Sequence, residues 1–418
     1  MNNNNVDLRK LDNEAQKELS EIFSKIEEIS YYNTQKVIEA FNEFRISEAM
    51  LTGTTGYGYD DVGRIALDKV YAKVFGSESA LCRLQIVNGT HAIAIGLYGL
   101  LRPGDVMLSI SGKPYDTLNE VIGVGNNDNN GSLSDFGVIY DEIELLNGYI
   151  NEEKLISKIK EHGKKLKVIF IQRSKGYGIR PTFSSEYIGK IAKICHENLD
   201  AYVVVDNCYG EFADKTEPVQ EGADLQIGSL IKNPGGGFAK TGGYLAGTKR
   251  AIELASYRLT TVGIGDECGA TLNENRDMFR GFFMAPHAVA QAKKTMVYAS
   301  YMFEKAGFEV DPLWNEERHD IIQTIKLYKP ENLIAICQGI QRYSPIDSYV
   351  KPVPSGMPGY DDQVIMAAGT FISGSSLELS CDGPMRDPYM AYLQGGLTYE
   401  SGRFAVYKAL EKILGEQL

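Results

Sequence analysis

The chain has 418 residues, of which 43% are hydrophobic and 23% charged, and it carries a formal net charge of -12 at pH 7. That length exceeds what one hydrophobic core usually fills, so two domains are expected in an ordinary globular composition. The acidic balance argues against a nucleic-acid partner or an anionic membrane surface, and no uninterrupted apolar run reaches membrane-spanning length.

Residues 1–7 are polar and lack the apolar stretch of a signal peptide. Leu11, Ala15, Leu19, Ile22, Phe23 and Ile26 fall at three- and four-residue steps, which predicts a helix over 11–43. A glycine-rich loop follows at 51–63. From about 64 to 250, helical stretches (64–75, 91–101, 184–197) separate short apolar runs at 84–87, 106–110, 168–171, 202–205 and 244–246. That alternation predicts an α/β fold, a mostly parallel sheet with helices on both faces. A long helical segment is expected over 284–306. Beyond it, the segments 308–311, 321–327, 332–342 and 371–380 predict a smaller α+β unit, with an ordered loop over 344–358 and a closing helix over 399–414. The expected division is an N-terminal helical arm and interface loop (1–60), a large domain (61–290) and a small C-terminal domain (291–418).

The cysteines at 82, 195, 208, 268, 337 and 381 form no CxxC pair and no zinc spacing with a histidine. Cys195-His196 reads as structural, no metal is expected, and reduced thiols in a cytoplasm are the simplest reading.

Open α/β sheets bind ligands at the C-terminal ends of their strands. Asp206 follows the run 202–205, and Lys232 follows Gly228-Ser229-Leu230-Ile231. Taken singly, Asp206 is as well read as a cap or turn residue and Lys232 as a surface lysine. Together they suit pyridoxal 5'-phosphate (PLP): a lysine to hold its aldehyde as a Schiff base and an aspartate to keep its pyridine nitrogen protonated. The glycines at 235–237 let backbone approach a flat ligand beside Lys232. Lys240 is the rival lysine, and the segment 235–241 does not satisfy the phosphate-loop pattern. Asn88-Gly89-Thr90-His91 reads as a turn into a helix, able to point N–H groups at a phosphate, or as a plain capped helix. Tyr115 could stack on the pyridine or simply pack, and Tyr57, Tyr59 and Arg64 could reach a neighbouring subunit's phosphate or form an ordinary turn.

In this order the pieces resemble the fold-type I PLP enzymes of cysteine and methionine metabolism, in particular the methionine γ-lyase-like or aluminium-resistance branch. The resemblance covers nearly the whole chain and rests on the runs 56–64, 88–91, 112–117, 377–380 and 382–386. It implies an aspartate-aminotransferase-like large domain with a seven-stranded type of sheet, and a homodimer or homotetramer with shared active sites. It also implies Lys232 as the Schiff-base lysine, Asp206 as the pyridine partner, Gly89, Thr90 and Ser229 at the phosphate, and Tyr115 as the stacking tyrosine that assists proton transfer. Tyr57 or Tyr59 is implied as the residue donated across the dimer. The chain departs from the pattern at Ile231, where the better-known lyases have threonine, and at Glu378, where they place the arginine for the substrate carboxylate. Arg386 and Arg173 are the replacements to consider, Arg173 also as a cofactor-flanking residue. The function expected is carbon–sulfur lysis of methionine, cystathionine or cysteine by β- or γ-elimination. Replacement or transamination on another amino acid, and a non-catalytic binding or regulatory protein, are the alternatives.

Overall fold

The computed structural model describes residues 7–125, 129–357 and 362–416. Residues 1–6, and Pro358 at the end of the expected ordered loop, lie outside the described residues. Two helices open the chain, α1 (Leu8–Glu18), capped by the Asp7 carboxylate, and α2 (Ser20–Glu43). One helix was expected here. The break falls at the buried Leu19, whose N–H still bonds the Ala15 carbonyl, so the two helices carry one apolar stripe around a corner.

The large sheet is built from α3 (Val62–Phe75), β1 (Ser79–Arg83), α4 (Gly89–Leu100), β2 (Val106–Ser109), α5 (Asp116–Ile122), β3 (Ile139–Glu142), α6 (Glu152–His162), β4 (Leu166–Gln172), α7 (Ser185–Asn198), β5 (Tyr202–Asp206), β6 (Leu225–Ser229), β7 (Gly243–Gly247) and α8 (Lys249–Leu259). Its seven strands run in the order β1-β7-β6-β5-β4-β2-β3. The β3, β2, β4, β5 and β6 pairings are parallel, while β7 is antiparallel to both β6 and β1. Strand residues alternate between two cores. Val168, Phe170 and Val204 meet α4, α5 and α8, whereas Ile169, Ile171, Val203 and Val205 meet α6 and α7. A sheet covered on both faces is what near-continuous apolar strands require.

The first strand lies earlier than the apolar run 84–87 indicated. β1 ends at Arg83, a buried guanidinium held on both Asp68 oxygens at 2.7 and 2.8 Å, and Leu84–Val87 form the turn after it. A charged residue inside a buried strand hides that strand from a hydrophobic pattern.

The smaller unit follows on α9 (Asn275–Lys305), with β8 (Glu309–Asp311), β9 (Ile322–Lys326), α10 (Pro330–Arg342), β10 (Val364–Ala367), β11 (Ser380–Pro384), β12 (Met390–Gln394) and α11 (Tyr399–Glu416). Its antiparallel sheet has the order β10-β11-β12-β9-β8. The first half of α9 buries Phe279 and Phe282 with the large sheet's outer core, and its second half buries Met296 and Tyr301 with the small one. Helix α9 starts nine residues before the expected 284 and carries Pro286 inside it. A Cβ at Gly281 would lie 2.2 Å from the Gly235 carbonyl, so only glycine lets this helix support the loop after Lys232. The apolar run 371–380 is turn up to Ser380, where β11 begins. Glu378 closes that turn by accepting from the Phe371 and Ile372 N–H groups at 2.7 and 2.9 Å.

Candidate active site

A cavity of about 650 Å³ opens at the C-terminal ends of the parallel strands, where the small sheet faces the large one. Ser111 follows shortly after β2, β4 ends in Gln172, β5 in Asp206 and β6 in Ser229, and all four residues line the cavity with Lys232. The parallel register sets Gln172 beside Asp206 and Asp206 beside Ile227.

Asp206 is 6% exposed, and its Oδ1 accepts from the Cys208 N–H at 3.1 Å. Burial raises its carboxyl pKa, and the charge of Lys232 pulls it partly back. Lys232 Nζ lies 4.0 Å from the centre of the Tyr209 ring. Burial works against its ammonium, but Cys208, Tyr209, Asp206 and Tyr115 around it outweigh that and hold its pKa well above the ordinary lysine value. Tyr209 adopts φ +74°, a conformation non-glycine residues seldom take, in the tight turn after β5.

The start of α4 forms the facing wall. Asn88 accepts from the His91 N–H at 2.8 Å, and His91 in turn accepts from the Val87 N–H through Nδ1, which makes it a cap residue. The Gly89 and Thr90 N–H groups, in the first helical turn, have no intrahelical acceptor. A Cβ at Gly89 would lie 3.3 Å from Cys208 Sγ and 3.4 Å from Ser229 Cβ, so this turn, Cys208 and Ser229 are neighbours. The Ser229 hydroxyl is buried with no hydrogen-bond partner among the described residues. Thr90 Oγ1 and the Tyr115 hydroxyl are 2.9 Å apart, and the Tyr115 N–H donates to Gln172 Oε1 at 3.1 Å. An amine, a buried carboxylate, free N–H groups at a helix start, an orphan hydroxyl and a ring are a donor set for a flat, phosphate-bearing aldehyde.

The other residues singled out in the sequence stand elsewhere. Lys240 is at the surface, paired with Glu274 and Asp277 at 3.0 Å each, and does not line the cavity. Arg64 is buried and donates to the Gly58, Gly269 and Glu267 carbonyls, so it holds its own chain's loop and does not reach outward. Tyr57 and Tyr59 stack on each other 5.4 Å apart in the exposed loop, away from their own chain's cavity. Arg386 is on the cavity rim, its side chain 57% exposed and paired with Asp362 at 3.0 Å.

Arg173 is corrected by the structure: it neither flanks the cavity nor reaches a ligand there. One residue beyond Gln172 the side chain turns to the opposite side, where it is fully buried on Asp214 and Asn207, both at 2.7 Å, and on the Phe183 and Gly210 carbonyls. Burial works against the Asp214 carboxylate, but the hydrogen bond from His319 and the charge of Arg173 outweigh it and hold its pKa far below the usual range. A carboxyl depressed in the fold stabilises above its unfolded pKa, and that contribution is lost as pH falls through the folded value. Asp214→Asn is therefore expected to lower stability by about 2 kcal/mol near neutrality. In denaturant titrations the gap from wild type should narrow once the pH drops below about 4.

Several cavity residues were given no role in the sequence reading. Gln172 and Ser111 obey the strand-end rule that exposed Asp206. Arg180 comes from the loop after β4. Its two terminal nitrogens donate to the carbonyls of Gln172, Arg173, Ser174 and Pro181, and burial lowers its pKa to about 10. Tyr177, Tyr209, Asp382, Tyr392 and Gln394 complete the wall.

The seven-stranded sheet with its antiparallel β7, the strand-end cavity and the second antiparallel sheet define the architecture of the fold-type I PLP-dependent enzymes. Apo CalE6, a methionine γ-lyase from Micromonospora echinospora, shares it at 16% identity with a TM-score of 0.56, over 83% of this chain and 86% of that one. The chain belongs to the methionine γ-lyase family, whose profile matches residues 8–414. It is 49% identical to the uncharacterized protein YnbB of Bacillus subtilis (strain 168) over 98% of this chain and 97% of that one. A carbon–sulfur lyase involved in aluminium resistance from Clostridium novyi NT is 50% identical, with a TM-score of 0.93 over 97% of this chain and 96% of that structure. The family and fold expected from the sequence are borne out. Among the described residues no helix is long and apolar enough to cross a membrane.

Proposed function

We propose that the chain is a PLP-dependent carbon–sulfur lyase that acts on a sulfur-containing amino acid such as methionine, cystathionine or cysteine. The observation that carries this reading is the burial of Lys232 and Asp206 in one cavity, at the ends of β6 and β5, beside a serine hydroxyl with no partner among the described residues. Lys232 Nζ would hold the aldehyde, Asp206 the pyridine nitrogen, and the Gly89 and Thr90 N–H groups with the Ser229 hydroxyl the phosphate. PLP, when bound, supplies an electron sink for the carbanion left at the substrate α-carbon.

Lys232 Nζ, once the substrate has displaced it from the aldehyde, would be the base that takes the α-proton. Tyr115 works in the other direction. Burial, and then the Asp206 charge, raise its pKa well above that of an ordinary phenol. It therefore stays protonated at neutral pH and would offer its O–H as a hydrogen bond to a departing thiolate, positioned by its contact with Thr90. Arg386 is the candidate for the substrate carboxylate, because the terminal nitrogens of Arg180 are committed to carbonyls. The exposure of Tyr57 and Tyr59 supports a role for them across a homodimer or homotetramer.

The purified protein should be yellow and lose that absorbance on borohydride treatment, with the reduced adduct mapping to Lys232 and not Lys240. Incubation with cystathionine, methionine and cysteine should release a 2-oxoacid and a thiol. A colourless protein that takes up no added PLP would sink the proposal, and amino transfer without thiol release would replace the lyase reading with transamination. For Arg386→Ala, KM should rise about tenfold with kcat nearly unchanged, the pattern of a lost binding contact. Unchanged KM removes Arg386 from the carboxylate site.

A further inference from the structure

The small sheet presents a carboxylate to the cavity for which the proposed chemistry has no use. Alternation along β9, β11 and β12 sends Ile322, Asp382, Tyr392 and Gln394 to the cavity, while Ile325, Cys381 and Leu393 fill the small core. Asp382 is the charged residue of that face and is 8% exposed. Its Oδ1 accepts from Gln394 Nε2 at 3.0 Å, and its Oδ2 accepts from the Tyr177 hydroxyl. Both donors are neutral, and among the described residues Asp382 forms no ion pair.

Of the cavity's cations, Lys175 is paired with Asp311, Arg386 with Asp362 and Arg180 with backbone carbonyls, while Lys113 and Lys232 also line the cavity without pairing with Asp382 among the described residues. A carboxylate buried among neutral donors is costly unless a cation joins it, and each of its oxygens retains room for a further donor. Burial pushes its carboxyl up to about 6, with the Tyr177 and Gln394 hydrogen bonds opposing, so it is charged at neutral pH and above. Tyr209, whose ring lies under Lys232 Nζ, packs against Ile322 and Tyr392 of the same wall. The reacting lysine and the Asp382 face therefore look into one space.

We propose that Asp382 recognises a cationic group on the departing half of the substrate, so that the site selects amino acids bearing a second ammonium beyond the sulfur. This rests on the lyase reading above. The substrate's α-nitrogen cannot serve, because it is committed to the cofactor aldehyde. Methionine offers Asp382 nothing, whereas a thioether carrying a distal amine places its charge against a carboxylate that a tyrosine and a glutamine, one on each oxygen, already hold in position.

The test uses two probes of matched size, S-(2-aminoethyl)-L-cysteine and S-propyl-L-cysteine, which differ by an ammonium in place of a methyl group. Calorimetric titration of the intact cofactor-loaded protein should show the aminoethyl compound binding about tenfold or more tightly than the propyl one. In Asp382→Asn, which keeps shape and hydrogen-bond acceptance, that preference should vanish through weaker aminoethyl binding alone. The wild-type comparison stands even if the variant folds poorly. Equal affinity, tighter binding of the propyl compound, or no binding of either overturns the proposal. Because the readout is binding, a preference found without thiol release leaves Asp382 as the recognition residue and counts against the lyase reading alone.

Discussion

Lys232→Ala is expected to eliminate the borohydride-trapped adduct and to lower turnover by about 10³-fold or more, since on the proposed reading one group would both anchor the cofactor and move the α-proton. Absorbance spectra before and after reduction, together with 2-oxoacid release, measure the two losses separately. The location of the residue makes the effect specific. It emerges from β6 after a buried serine, sits over the Tyr209 ring and is backed by glycines packed against α9. Lys240, eight residues on, is solvent-facing with two carboxylate partners, so Lys240→Ala should leave both signals intact. An adduct surviving in Lys232→Ala would reassign the site.

The second large effect is at Asp206. Asp206→Asn keeps the shape and the bond from the Cys208 N–H but cannot keep a pyridine nitrogen protonated, so turnover should drop by about 10²–10⁴-fold while the Lys232 adduct still forms. Stability should move the other way. A carboxyl whose pKa is raised in the fold stabilises below its unfolded pKa, and that contribution is lost as pH rises through the folded value. The cofactor-free Asn variant should therefore be at least as stable as wild type at pH 8 and should lose the Asp206 part of the pH dependence above about 4. Full activity in Asp206→Asn would show that this carboxylate does not serve the ring.

The architecture was legible where chemistry is local. Runs of apolar residues became β2, β4, β5 and β7, because strands buried on both faces must be apolar throughout. Strand β1 was missed because Arg83 interrupts the pattern, and its charge is balanced by Asp68 on another element. The stretch 371–380 looked like a strand because nothing in its order shows that Glu378 folds back on Phe371 and Ile372. Glu378 also lost its place as a departure at the substrate site, since it closes a turn outside the cavity.

The sequence by itself determined the family and brought forward residues that the fold gathers in one cavity: Asp206 and Lys232 after apolar strands, Asn88-Gly89-Thr90 at a helix start, Tyr115 following another strand. Each depends on residues adjacent in the chain, which is why short-range patterns carry it. Which side chains face the cavity was decided by tertiary structure alone. Arg173 and Gln172 are neighbours, yet one points beneath the sheet to Asp214 and the other toward the ligand space. Asp382 and Cys381 are neighbours too, and the pleat puts the carboxylate in the cavity wall and the thiol in the small core. The phase of a two-residue repeat cannot be read from a single charged residue. It is set only when the strand pairs with its neighbours and one face closes over a core.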